Sequence, residues 1–239
     1  SDGFSVVIPA RHASVRLPGK PLVEIHGRPM IQWVCDVANG SEAERVIVAT
    51  DDARIVEAVG AFGGQCCLTR EDHPSGTDRL LEVAERLGWA EDHVVVNLQG
   101  DEPLMDARNL TQVARNLLRS GCDMATLYVD LDADEADDPN RVKLVHDARG
   151  HALYFSRSPI PFDRDGGSGE GYCGHIGLYA YRVGFLRRFA ALPPSPLERR
   201  ERLEQLRALH HGHSIHVERA LVRPGPGVDT AEDLEQVRR

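Results

Sequence analysis

Short apolar runs alternate with amphipathic stretches through the first half of the chain. Phe4 to Ile8 is a brief Val- and Ile-rich run stopped by Pro9, and it predicts a buried strand. Arg45 to Ala49, Gln65 to Thr69 and His93 to Leu98 repeat that pattern, the last around Val94-Val95-Val96. Between them, Pro29 to Val37 reads as a helix opened by proline near its first turn, and Ala53 to Ala61 as a second. Leu80, Leu81, Ala84 and Leu87 share one helical face, and Leu110, Val113, Ala114, Leu117 and Leu118 mark another helix. Apolar strands separated by amphipathic helices predict an α/β fold: a mostly parallel, Rossmann-like sheet covered by helices on both faces. Ligands of such sheets lie outside the carboxyl ends of the strands. The segments just after each strand are therefore where chemistry is expected.

The second half changes character. Arg141 to His146 and Ala152 to Arg157 read as two strands around the turn Ala148-Arg149-Gly150. Residues 163–171 are glycine-rich and predict a flexible loop. A strand from His175 to Arg182, a helix from Pro196 to His210 and a strand from Ser214 to Leu221 follow. Thr230 and Asp233 have capping-box spacing for a last helix. No internal repeat is visible. The length suits one domain, 1–239, in which approximately 141–182 is a β-rich insertion serving as a pocket, a dimer surface or both.

Composition narrows the function classes. Hydrophobic residues make up 41% of the chain, enough for a sizeable core, while the net charge is -9. So acidic a chain is a poor nucleic-acid binder, because phosphate backbones need basic surface. Anionic small molecules remain accessible where positive charge is concentrated locally. No apolar run reaches the roughly 18 residues of a membrane span. Ser1-Asp2-Gly3 leads straight into a strand without a secretory-signal pattern. The five cysteines are odd in number and form no CxxC, which argues against a disulfide framework or structural zinc. Reduced thiols and a cytoplasmic location are the expectation.

Three loops stand out. After the first strand, Ala10, Arg11, Arg16 and Lys20 lie in a proline- and glycine-bearing segment. It offers the close backbone approach and fixed positive charge that a triphosphate needs. It is not a Walker loop, and no GxGxxG follows the strand, which argues against a dinucleotide-binding dehydrogenase. After the third strand, Ser75 or Thr77 is placed to cap the next helix, and Gly76 to admit a flat ring. After the fourth, Gln99-Gly100-Asp101-Glu102-Pro103 puts a carboxylate at a buried strand's end, and Asp229 follows Gly227-Val228 near the chain's end. On residues alone, each Asp also reads as a turn or helix cap. Two such aspartates meeting in space would suit Mg²⁺, which takes oxygen ligands and few protein carboxylates.

The whole phrases are far more specific than their charges. Pro9 to Leu22 resembles the PAR-x-x-S-x-RLPGKPL motif of the 3-deoxy-manno-octulosonate (Kdo) cytidylyltransferases, with His12 and Val15 where Tyr and Ser or Thr are usual. His73 to Arg79, Gln99 to Pro103 and Gly227 to Glu235 are similar to further segments of that family, in the same order. The resemblance implies a magnesium-dependent nucleotidyltransferase that joins the CMP part of CTP to Kdo for lipopolysaccharide biosynthesis, as a homodimer. It implies catalytic roles for Arg11, Lys20, Asp101 and Asp229, the last two as Mg²⁺ ligands. It implies nucleotide contacts from Ala10, Arg11, Arg16, Lys20, Ser75, Gly76, Arg79 and Gln99.

The acceptor, a sugar acid, calls for a cation or His for its carboxylate and Gln, Glu or Tyr for its hydroxyls. Arg157, Arg164, His175, Tyr179, Glu204 and Gln205 lie in phrases matching the family. Glu204 also reads as the helix-surface partner of Arg200 or Arg207, His175 as a strand histidine and Tyr179 as core. Gly174 departs from the Arg or Lys usual before the His. Two rival functions follow: a cytidylyltransferase for sialic acid or an amino-substituted octulosonate, and a non-catalytic nucleotide-binding module.

Overall fold

The computed structural model describes residues 2–239; Ser1, in the opening stretch read above, lies outside them. Eleven strands and nine α-helices are formed among the described residues. The strands are β1 (Phe4–Pro9), β2 (Glu24–Ile25), β3 (Arg28–Pro29), β4 (Arg45–Thr50), β5 (Gln65–Leu68) and β6 (Val94–Asn97). They continue with β7 (Met124–Leu131), β8 (Lys143–His146), β9 (Ala152–Ser156), β10 (Tyr172–Arg182) and β11 (Ile215–Arg219). The helices are α1 (Met30–Asn39), α2 (Ala53–Ala61), α3 (Gly76–Arg86), α4 (Ala107–Ser120) and α5 (Ala133–Ala136). The rest are α6 (Val183–Ala191), α7 (Pro196–Glu201), α8 (Gln205–His210) and α9 (Ala231–Val237).

Nine strands form one sheet whose main path runs β11-β7-β10-β6-β1-β4-β5. Neighbours pair in parallel except β10, which is antiparallel to both β6 and β7. The β8–β9 hairpin hangs from the first part of β10 through Cys173 and Gly174. The strand period places successive residues on opposite faces. Phe4, Val6 and Ile8 thus pack with α1, α2 and α4 on one face, and Val7 packs with α3, α6 and α8 on the other. All five cysteines are free thiols. No helix among the described residues is long and apolar enough to cross a membrane.

The expected sheet and most elements form as read; α5, α6 and the β2–β3 pair are additional to the elements read from the sequence, and three further differences stand out. The strand β7 is absent from the alternating pattern because it is buried on both faces, with only Asp130 exposed. The single helix expected from Pro196 to His210 is two. Arg202 adopts φ 58° and ψ 46°, ends α7 and turns the chain into α8. And β10 begins at Tyr172, running through Gly174, where a Cβ would lie 2.6 Å from Leu131 Cγ. Here Leu131 occupies the space that a larger side chain before His175 would need.

Candidate active site

The carboxyl ends of β1 and β6 are drawn together by backbone bonds. Leu98 N donates to Val7 O at 3.1 Å and Gly100 N to Pro9 O at 3.3 Å. A Cβ on Gly100 would lie 3.0 Å from Pro9 O, a tight contact that glycine relieves. The segment after β1 then folds back on itself, Gly19 N donating to His12 O at 3.0 Å, with Gly19 at φ 67° as the turn requires. The start of α3 forms the facing wall. Ser75 is its N-cap, its Oγ accepting from Asp78 N at 3.3 Å. These segments enclose a cleft of about 820 Å³, lined by Ala10, Arg11, Arg16, Lys20, Ser75, Gly76, Gln99 and both candidate metal-binding aspartates.

Asp101 and Asp229 are 128 positions apart in sequence yet meet at one end of this cleft. Backbone bonds explain why: Val228 N donates to Asp101 O at 2.8 Å and Gly225 N to Leu104 O at 3.2 Å, laying the last loop along the QGDEP segment. Lys20 Nζ donates to Asp101 Oδ2 at 3.2 Å and to Asp229 Oδ1 at 3.4 Å, and Arg16 reaches Asp229 Oδ2 at 3.1 Å. Neither aspartate is a helix cap. The caps of α4 and α9 are Asp106 and Thr230, the latter in a full capping box with Asp233.

Clustered carboxylates dominate the electrostatics of this corner. Burial pushes the Asp101 carboxyl up, Lys20 pulls it down and the Asp229 charge pushes it up again. Glu102, which sequence reasoning did not single out although it lies in the same phrase, is pushed up to about 7 by burial and by the charges of Asp101 and Asp229. Carboxylate oxygens crowded beside the Lys20 ammonium and the Arg16 guanidinium are the donor type that a hard divalent ion takes. Among the described residues no group of three or more His, Cys, Asp or Glu is arranged to hold a metal.

Arg79 lines the cleft but is only 1% exposed. Its guanidinium donates to Thr69 Oγ1 and to Arg70 O, the latter at 3.1 Å, and lies 3.7 Å from Asp51. It braces the loop beneath the wall. His73 is held from the same helix: its Nε2 lies 2.6 Å from Glu82 Oε1.

A second pocket of about 150 Å³ adjoins the cleft, and Gly76 and Gln99 line both. Tyr179, Glu204 and Gln205 come together here as expected of one pocket, joined by Thr77, Asn97 and Tyr181, which the sequence did not indicate. Tyr179 and Tyr181 share a face of β10, opposite Asn97 and Val95 of β6. Arg207 makes its side-chain bonds to Glu198, of 2.9 and 2.5 Å.

The structure does not bring the other acceptor candidates to this pocket. Arg157 donates to the carbonyls of Glu201, Pro139 and Arg202 at 2.7, 3.0 and 3.3 Å, tying β9 to the end of α7. Arg164 is exposed in the glycine-rich loop. His175 sits behind Tyr179, its Nε2 3.0 Å from Thr126 Oγ1, and burial pushes its pKa down to about 3.

Comparison with known proteins agrees with this arrangement. Residues 5–215 match the cytidylyltransferase family. The 3-deoxy-manno-octulosonate cytidylyltransferase of Proteus mirabilis is 56% identical over 97% of this chain and 94% of its own. That of Photobacterium profundum is 54% identical over 98% of each. A solved CMP:2-keto-3-deoxy-manno-octonic acid synthetase complexed with CTP superposes with a TM-score of 0.93 at 45% identity, over 99% of this chain and 97% of that one. A cytidylyltransferase from Leptospira borgpetersenii, 17% identical over 98% of this chain and 84% of its own, shares the fold at a TM-score of 0.64. With its strand-end cleft and paired aspartates in the family's own sequence phrases, the chain belongs to the 3-deoxy-manno-octulosonate cytidylyltransferase family.

Proposed function

We propose that this protein transfers CMP from CTP to 3-deoxy-D-manno-octulosonate, releasing pyrophosphate and forming CMP-Kdo for lipopolysaccharide synthesis. The observation that carries the reading is the meeting of Asp101 and Asp229 at Lys20, in a cleft that shares Gly76 and Gln99 with a smaller pocket lined by Tyr179, Glu204 and Gln205. The first space is large enough for a nucleoside triphosphate, and the second presents carboxylate, amide and phenol groups suited to a polyhydroxylated acid.

Phosphoryl-type transfer depends mainly on positioning and charge neutralisation. Arg11, Arg16 and Lys20 offer positive charge to the triphosphate and the leaving pyrophosphate. Ser75, Gly76 and Gln99 form the wall against which base and ribose lie, with Arg79 bracing it from below. Asp101 and Asp229 would hold Mg²⁺, which when bound polarises the α-phosphate and lowers the pKa of the attacking sugar hydroxyl. Tyr179, Glu204 and Gln205 hold acceptor hydroxyls and set that hydroxyl's approach.

The same reading places the enzyme in the cytoplasm, where CTP is made. It also takes the chain as one catalytic domain that forms a homodimer. The region 141–182 supports the dimer: it exposes Leu153 by 60% and Phe162 by 86% beside the strands it adds to the sheet. The test is pyrophosphate release from CTP and Kdo with Mg²⁺, run beside sialic acid and the other nucleoside triphosphates. Turnover confined to CTP and Kdo is expected, and CTP binding without acceptor-dependent release would favour a non-catalytic module instead.

A further inference from the structure

The strand β10 changes partners at an irregularity. Along β7, His175 pairs with Tyr128 and Ile176 with Leu127, but the next pair is Tyr179 with Thr126. Gly177 and Leu178 are thus two extra residues that bulge out of the ladder. Pairing with β6 begins only at Tyr179, opposite Asn97. The bulge is therefore a joint. On one side lies the outer part of β10, which carries the β8–β9 hairpin, and on the other the part that presents Tyr179 and Tyr181 to the smaller pocket. Directly opposed residues of neighbouring strands share a face of the sheet. Tyr179 accordingly stands between Asn97 of β6 and Thr126 of β7.

Thr126 is fully buried, and its hydroxyl ties this joint together. Its Oγ1 lies 3.0 Å from Ile176 O and 2.7 Å from Leu178 O, the two carbonyls that bracket Gly177. Both carbonyls can only accept, so the hydroxyl's one proton is shared between them, and His175 Nε2, 3.0 Å away, donates to the oxygen. The His175 ring in turn packs against the Tyr179 ring, centroids 5.3 Å apart, and meets Phe155 edge-on at 5.1 Å. One side chain thereby fixes both the backbone that leads into Tyr179 and the ring that Tyr179 leans on. From this geometry we infer that Thr126, which lines neither space, is a positioning residue for the acceptor: it locks the β10 bulge and His175 and so sets where Tyr179 stands in the smaller pocket. This rests on the acceptor reading of that pocket given above.

The test is steady-state kinetics on the full chain with CTP, Kdo and Mg²⁺ for the wild type, Thr126→Val and Thr126→Ser, with a melting curve for each. Valine keeps the shape and removes all three hydrogen bonds; serine keeps the hydroxyl. Thr126→Val is expected to raise the KM for Kdo by at least about tenfold, the scale of leaving buried polar groups unpaired. The KM for CTP should change less than about twofold, because Thr126 is not among the residues that wall the larger cleft. Thr126→Ser is expected to restore the Kdo KM to within about threefold. In combination with Tyr179→Phe, Thr126→Val should add less than its separate effect, because the two act through one contact with the acceptor. If Thr126→Val does not fold, Thr126→Ala makes the same comparison. A lowered melting temperature with an unchanged Kdo KM, equal rises in both KM values, or full additivity with Tyr179→Phe would each overturn the inference while leaving the proposed function standing. A wild type that releases no Kdo-dependent pyrophosphate would remove both.

Discussion

Asp101 and Asp229 carry the same side chain in different settings. Asp101 is partly buried, its carboxylate 31% exposed and bonded to Lys20; Asp229 is 59% exposed and shared between Lys20 and Arg16. Two acids placed side by side, with a third at Glu102, repel one another and gain nothing for folding. Such an arrangement is expected where charge is kept for chemistry. Replacing Asp101 by Ala should therefore lower Kdo-dependent pyrophosphate release by at least about 10²-fold, the scale of losing a charge-stabilising group in the transition state. The metal-free variant should melt within a few degrees of the wild type. Near-normal release by the folded variant would dismiss the metal assignment. The sequence made these two aspartates visible only through the phrases around them, since an isolated Asp before a helix reads equally well as a cap. What separates the readings is spatial: Asp106 and Thr230 do the capping, and the Val228 and Gly225 amides bring the two acids together. Thr77, Asn97 and Tyr181 carried no such signal, because their pocket is assembled from α3, β6 and β10, which touch only once the chain has folded.

At the scale of elements, periodicity read the half-buried helices and the strands near the amino end well. It failed where burial removes alternation, as in β7, and where a backbone turn interrupts a helical pattern, as at Arg202. That residue pays for an αL conformation without a glycine's freedom, and its side chain is exposed. The cost of αL for an L-residue, about 1–2 kcal/mol, exceeds the roughly 0.5–1 kcal/mol of extra unfolded-state entropy that glycine brings. Arg202→Gly should accordingly stabilise the fold by about 0.5–1 kcal/mol, while Arg202→Ala, which keeps the Cβ, should not; urea denaturation of the two variants decides it. A second element-level device is Glu82, which pins the 70–75 loop to α3. It accepts from Arg70 N at 3.0 Å, faces His73 Nε2 at 2.6 Å and accepts from Arg86 Nε at 2.6 Å. Burial pushes its carboxyl up, but these three bonds prevail and hold it at about 2 instead of the ordinary 4.5. A folded-state pKa below the unfolded one stabilises the fold above pH 4.5, and that contribution is lost as pH falls from 4.5 towards 2. Glu82→Gln should thus cost on the order of 2–3 kcal/mol at pH 7. The gap to wild type should close across that acid window, and a pH-independent gap in denaturation midpoints would contradict the account.

The cleft is a property of the whole molecule, because no single segment of the chain contains it. The loop after β1, the start of α3, the end of β6 and the approach to α9 contribute in turn, and the last two are held together by backbone bonds between residues more than a hundred positions apart. A ligand that touches all four closes the molecule across its own sheet. Binding to the folded state alone stabilises it by mass action, about 2.7 kcal/mol at a hundredfold excess over Kd. For a domain of this size that amounts to a rise of roughly 5–10 °C in Tm. CTP with Mg²⁺ should give such a rise. Most of it should vanish on adding EDTA, because Asp101 and Asp229 then face the triphosphate without a divalent ion between them, and Lys20 and Arg16 are already engaged by those carboxylates. Lys20→Ala should abolish it by a different route, since that residue alone bonds to both acids and also faces the space the phosphates would fill. The two perturbations can be told apart. Excess Mg²⁺ restores the shift after EDTA but not after Lys20→Ala. A CTP-induced rise indifferent to both would mean that the nucleotide binds elsewhere on the molecule, and that the meeting of the acids at Lys20 serves only to close the fold.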